Sequence, residues 1–225
     1  MATLLFIYTA TAHASICISR DGKSLGILET NDQKNHASFI QPAISSLCSQ
    51  TGIALESLDA IGISLGPGSY TGLRVGMATA KGIAYVTEKP LIGINTLQIM
   101  AAAAKTNYPN YTGTICPLLD ARRMEVFTGI YAQSLEPISD TKALILEATS
   151  FENELAVAPL LFVGDGAEKF KEICNHPNAH FDTTLTYGAL DMISLTEKAF
   201  VLTDFLDLAY SEPLYVKAFH DTRKG

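Results

Sequence analysis

The residues with the most specific chemical potential run from Ser64 to Gly76: Ser-Leu-Gly-Pro-Gly-Ser-Tyr-Thr-Gly-Leu-Arg-Val-Gly. A strand that ends in a glycine-rich turn and restarts as a helix can aim backbone N–H groups at a phosphate, at the positive end of the helix dipole. The spacing is not that of a Walker A loop, because the Gly-Lys-Ser/Thr ending is missing and Arg74 does not replace it in that geometry. Nor is it a dinucleotide fingerprint, whose glycines are spaced differently. The plain alternative is a tight turn whose glycines serve the backbone. A further segment has the same double reading. Asp120-Ala121-Arg122-Arg123 follows a strand as a second phosphate loop would, or is an Asp-capped turn with solvated or ion-paired arginines. Gly164-Asp165-Gly166, on its own, is only a turn.

Other chemistry is sparse. The histidines are His13, His36, His176, His180 and His220. His176 and His180 have the spacing of a helical metal pair, but Pro177-Asn178 between them speaks against a regular helix and a zinc site. No HExxH or GxSxG motif occurs, and no acidic cluster suggests paired-carboxylate catalysis. Cys17, Cys48, Cys116 and Cys174 show no CxxC spacing and read as reduced structural thiols. With 16 Lys and Arg against 23 Asp and Glu, the formal charge of −7 provides no general basic face for nucleic acid. A composition 48% hydrophobic and 17% charged argues against disorder. No apolar run reaches the roughly 18 residues of a membrane span. The N-terminus lacks the basic region of a signal peptide and reads as strand, turn and strand. The expected location is the cytoplasm.

The elements that must position these groups follow from periodicity. Thr3–Tyr8, Ala14–Ser19 and Leu25–Glu29 read as three strands, the last two joined by an Asp21-Gly22 hairpin turn. Asn35 caps a helix that carries Phe39, Ile40, Ala43, Ile44 and Leu47 at helical spacing; Pro42 should kink it or move its start to about Ile40. A strand at 60–65, a helix at 71–85, a strand at 91–94 and a helix from Asn95 or Thr96 to about Ala104 follow. The second half restarts the theme with strands at 115–119, 125–131 and 160–163, a helix near Ala167, and mostly helix over 188–208. Strand hairpins followed by helix–strand alternation, seen twice, imply two related α/β halves. We place them at 1–104 and 105–225. The helix after the glycine loop carries Gly72, Gly76 and Ala80 at four-residue steps. Each interior glycine costs roughly 1 kcal/mol against alanine, so close approach of a neighbour is the expected gain. That neighbour is either the chain's own first helix or a helix of a second subunit.

The ordered set LLFIYTAT, His36-Ala37-Ser38, GPGSYTGLRVGMATAKGIA, LIGINTLQ, LLDARRMEVF, VGDG and SEPLYVK resembles the TsaB (YeaZ) family over nearly the whole chain. GPGSYTGLRVG is the specific marker. The resemblance implies an actin/Hsp70/sugar-kinase fold of two lobes with duplicated topology and a reduced second lobe. It implies a non-catalytic subunit that acts with a TsaD-like enzyme and a TsaE-like ATPase to place a threonylcarbamoyl group on the adenosine beside the anticodon of ANN-decoding tRNAs. RNA is then met only indirectly, and no cofactor is expected. Thr9 and Thr11 fall where such folds cradle phosphate, but Tyr8 stands where the family usually has an Asp, and a phenol is a poor Mg²⁺ ligand at neutral pH. TsaD-like relatives carry an HxxxH metal pair in the helix that here begins Thr96-Leu97-Gln98-Ile99-Met100, which has no histidine.

The resemblance also implies homodimers, or pairing with TsaD, through the helices that begin near His36 and Thr71. The expected interface set is His36, Phe39, Ile40, Ala43, Gly72, Val75, Gly76, Thr79, Ala80 and Ile83. A bulky residue at Gly76 should break pairing while leaving the lobe folded. The rival reading is an autonomous ATPase or glycoprotease-type metalloenzyme.

Overall fold

The computed structural model describes residues 2–32 and 35–217; His220 lies outside the described residues. The opening run forms β1 (Thr3–Tyr8), β2 (Ala14–Arg20) and β3 (Lys23–Thr30). Asp21 and Gly22 make the hairpin turn, both at positive φ. Next come α1 (His36–Thr51), a 3-10 turn at Leu55–Ser57, β4 (Ala60–Gly66), α2 (Tyr70–Thr87), β5 (Leu91–Asn95) and α3 (Thr96–Asn107). β1 pairs antiparallel with β2 and parallel with β4, giving the strand order β3-β2-β1-β4-β5.

The second half repeats this plan with β6 (Thr114–Asp120), β7 (Glu125–Thr128), β8 (Lys142–Ile145), α4 (Glu152–Val157), β9 (Leu160–Val163), α5 (Ala167–Lys171) and β10 (Ala179–Asp182). Its order, read from the far edge, is β8-β7-β6-β9-β10. Three antiparallel strands followed by two parallel ones therefore occur in each half. The chain then makes a 3-10 turn at Ala189–Met192 and α6 (Ile193–Val201). These last two elements pack on β1, β2 and β5, so the chain returns to the first sheet.

Period-two alternation in β1 divides the first core. Leu5 and Ile7 face α1 and α2, while Leu4, Phe6 and Tyr8 face α3 and the 3-10 turn. α3 is apolar nearly all round and lies between the two sheets, sharing one cluster with Ile92 on one side and Ile115, Leu161 and Val163 on the other. A helix hydrophobic on every side has no solvent face to keep polar. Phe162, Phe170, Cys116 and Val126 form a separate core on the outer face of the second sheet. Burial pushes the Cys116 thiol up to about 12, as expected for an inert core cysteine.

Three local expectations change, and three short elements are new. α1 does not restart at Ile40: it runs through Pro42, which sits on the exposed side, where water can serve the carbonyl left without its N–H partner. β7 stops at Thr128; Tyr131 instead makes an isolated antiparallel bridge to Ile115, and the Ile130 N–H turns to Ser139 Oγ. The helix expected to Leu208 ends at Val201, because Thr203 takes positive φ and the Asp204 N–H closes on Ala199 O. β8, α4 and β10 went unread in the sequence; all three are short.

Candidate functional site

Two regions gather the residues singled out above: the cleft between the sheets, and the outward face of α1 and α2. The cleft measures about 750 Å³, and its walls include Thr11, His13, Glu29, Asp165, Tyr187 and Asp191. Among the described residues, no Lys or Arg lines it. Tyr8 is fully buried behind two of the lining residues, with its hydroxyl 3.4 Å from Thr11 Oγ1 and its ring edge-on to Tyr187 at 6.1 Å. Burial pushes its phenol far above the ordinary tyrosine range, so it stays neutral.

In the turns that could cradle phosphate, several of the amides are bonded within the protein. Thr9 N–H donates to Ser64 Oγ at 3.2 Å and Ser69 N–H donates to Ala10 O at 2.6 Å. The first turn of α2 is capped by its own Ser69 Oγ, which accepts from Gly72 N–H. In the second loop, Asp120 N–H goes to Asp165 Oδ1, Ala121 N–H to Glu125 O and Arg122 N–H to Asp120 Oδ1. Asp165, the GDG residue, thereby ties its turn to the second loop; burial raises its carboxyl, opposed by the Asp120 amide. Lys169 closes the same loop, bonding Asp120 Oδ1, Arg123 O and Glu125 O. A cleft lined by Glu29, Asp165 and Asp191, with no Lys or Arg among its described lining residues, is a poor fit for the negative charge of a triphosphate.

Asp191 is the titrating group of the cleft. It accepts the Gly188 N–H at 2.9 Å and so holds the entry to the 3-10 turn. Burial raises its carboxyl to about 6, with Glu29 adding and His13 opposing. His13 bridges Glu29 Oε1 at 3.3 Å and Tyr187 O at 3.2 Å. A carboxyl whose folded value lies above its unfolded one favours folding most while protonated. Its contribution is full below the unfolded value of 3.8 and is lost as pH rises through about 6. Asp191→Asn keeps an acceptor for Gly188, so it should stabilise the protein at pH 8 by about 2 kcal/mol and by almost nothing at pH 4. Thermal melts at the two pH values check this; equal shifts at both would contradict it.

The expected interface residues divide by burial. Ile40, Ala43, Ala80 and Ile83 belong to the core under α1 and α2. His36 is buried and donates from Nε2 to Ala12 O at 3.0 Å. Gly72 and Gly76 are buried against the β1–β2 turn: a Cβ at Gly72 would stand 2.2 Å from Thr9 O, and one at Gly76 2.3 Å from Thr9 Oγ1. The close approach that the small residues permit is thus made by this chain's own first turn. Phe39, Val75 and Thr79 are half-buried at the margin. The exposed positions of the same helices are Ala37, Gln41, Ser45, Ala78, Gly82 and Tyr85, among others. This face carries little charge. α1 contains no Lys, Arg, Asp or Glu, and α2 only Arg74 and Lys81. Sequence spacing singled out these two helices but could not tell which side each residue took.

Two sheets of the same three-antiparallel, two-parallel order, with α3 between them, define a two-lobed actin/Hsp70/sugar-kinase-like protein. A family model described as TsaD, tRNA N6-adenosine threonylcarbamoyltransferase, matches residues 13–213. The tRNA threonylcarbamoyladenosine biosynthesis protein TsaB of Bacillus subtilis is 30% identical over 174 residues, 76% of this chain and 74% of that protein. The Escherichia coli protein of the same description is 26% identical over 220 residues, 95% and 94% of the two chains. The structure of YeaZ from Pseudomonas aeruginosa matches with a TM-score of 0.82 at 25% identity, covering 96% of this chain and all of that one. The chain belongs to the TsaB (YeaZ) family.

Proposed function

We propose that this chain is a non-catalytic, cytoplasmic subunit that binds and activates a TsaD-like enzyme in threonylcarbamoylation of the adenosine next to the anticodon of ANN-decoding tRNAs. The observation that carries the reading is the outer face of α1 and α2: two long helices side by side, almost without charge, with Tyr85 and Val86 exposed at its end. Protein interfaces are depleted in charged residues at their centre and enriched in aromatics. The docking surface consists of the outward residues of those helices, with Phe39, Val75 and Thr79 at its margin. The buried members of the expected set hold the two helices in place beneath it. Residues 1–104 carry the docking lobe. The same face serves a homodimer when the enzyme is absent, and a TsaE-like ATPase joins through the complex. The acidic lining of the cleft, without Lys or Arg among its described residues, favours a supporting role over an autonomous ATPase. No helix among the described residues is long and apolar enough to cross a membrane.

A partner shifts an enzyme between states only through contacts that differ between those states. The test is co-purification with the cognate TsaD-like protein, then tRNA modification with and without this chain. Modification that depends on the chain, with no turnover by the chain alone, is the expected result. Modification or ATP hydrolysis by the isolated chain would overturn the reading.

A further inference from the structure

Residues 204–217 run back across the first lobe as an extended strap and end against the second. Leu206 N–H donates to Leu91 O and Leu214 N–H to Leu65 O, both at 2.8 Å. Lys81 Nζ on α2 holds Ala209 O and Ser211 O at 3.2 and 3.1 Å, and Lys217 pairs with Glu125. Between strap and body lies a mostly apolar groove of about 580 Å³, lined by Pro67, Tyr70, Phe127, Leu214, Tyr215 and Lys217. Tyr70 and Tyr215 are 40% and 41% exposed, with ring centroids 5.2 Å apart. The Arg74 guanidinium lies 5.2 Å from the Tyr70 ring centroid.

The charge at this edge is opposite in sign to that of the whole chain. Asp120 is paired with Lys169 and Glu125 with Lys217. Arg74, and Arg122 and Arg123 in the turn just before Glu125, are exposed and have no carboxylate partner among the described residues. Glu212, near Tyr215, is the carboxylate left over. With Asp165, whose Oδ1 accepts the Asp120 N–H, five cations meet four carboxylates among the described residues beside two accessible phenol rings.

We propose that this groove receives an unstacked base of a single-stranded RNA loop, with the base against Tyr70 and Tyr215 and the adjoining phosphates on Arg74, Arg122 and Arg123. The proposal rests on the reading that the chain works on tRNA. Aromatic faces stack on any base, and arginine supplies both charge and a stacking plane. An acidic peptide would use the arginines but not the paired rings, so the groove favours RNA. The overall charge of −7 keeps the contact weak for the lone chain and makes it an auxiliary grip within the complex.

The test uses the full chain with its TsaD-like partner and a labelled, unmodified transcript of an ANN-decoding tRNA, read by anisotropy across a salt series. Tyr215→Ala should weaken binding about tenfold, as loss of one stacking platform does. Arg74→Gln should lower the salt slope by about one, as loss of one phosphate contact does. Tyr215→Ala, which lies on the strap and outside α1 and α2, should still co-purify with the partner. Wild-type affinity and slope in both would overturn the proposal. So would displacement of the transcript by polyglutamate more readily than by oligouridylate, or by ATP alone. A lone-chain arm separates this proposal from the partner reading. Photocrosslinking of a 4-thiouridine oligonucleotide should mark peptides containing Tyr70 or Tyr215 even if no partner co-purifies, and crosslinks confined to other peptides would sink it.

Discussion

Gly76→Leu is expected to unfold the first lobe, lowering stability by about 3 kcal/mol or more, since a well-packed site has no room for added methylenes. The leucine Cβ would start 2.3 Å from Thr9 Oγ1 and 3.1 Å from Ile63 Cδ1. Thr9 is itself fully buried, and its backbone N–H is bonded to Ser64 Oγ, so the turn cannot step aside without breaking its link to β4. The effect is therefore on the fold, and loss of pairing follows from it. That differs from the expectation that a bulky residue here would break pairing alone. Urea denaturation of the isolated chain measures the effect; a wild-type midpoint would show that the turn yields more easily than its contacts imply.

Gly82→Glu is expected to do the opposite, abolishing association while leaving the lone chain intact. Gly82 is exposed on α2, and a Cβ there meets nothing within 4 Å. Replacing a helix-interior glycine should raise the lone chain's stability by about 0.5 kcal/mol through helix propensity. The new carboxylate would stand on a face whose nearest charges on its own helix are Arg74 and Lys81, and Lys81 is already engaged with Ala209 O and Ser211 O. A charge buried unpaired at an interface costs several kcal/mol, so affinity for the TsaD-like partner should fall at least about a hundredfold, roughly 2.7 kcal/mol. Titration calorimetry with the partner, beside a thermal melt of the chain alone, reads both halves. Unchanged affinity would move the docking surface off this face.

Taken together, the two glycines show how far local pattern reaches. Both lie in one helix, six residues apart, and the small-residue spacing at Gly72, Gly76 and Ala80 marked that helix as one approached closely. Which body approaches it depends on the β1–β2 turn, more than 60 residues earlier in the chain, and no spacing within α2 encodes that. The same holds for Tyr8: its type argued against a metal, but only the fold buries it against Tyr187 and Thr11, two residues that line the cleft. Short elements such as β8 and β10 escaped because four residues carry too little periodicity to separate a strand from a loop.

Strand alternation, the glycine-rich turn, the uncharged first helix and the repeated order of elements are properties of consecutive residues. The sequence alone therefore determined the duplicated α/β plan, the family, and which two helices merit attention as a docking face. Tertiary structure alone decided the direction each helix turns, the internal bonding of the loop amides, and the meeting of Arg74, Tyr70 and Tyr215 at one edge of an acidic chain. Backbone preference and hydrophobic period act over a few residues, whereas burial, charge clustering and hydrogen-bond satisfaction are sums over neighbours that the chain brings together from far apart.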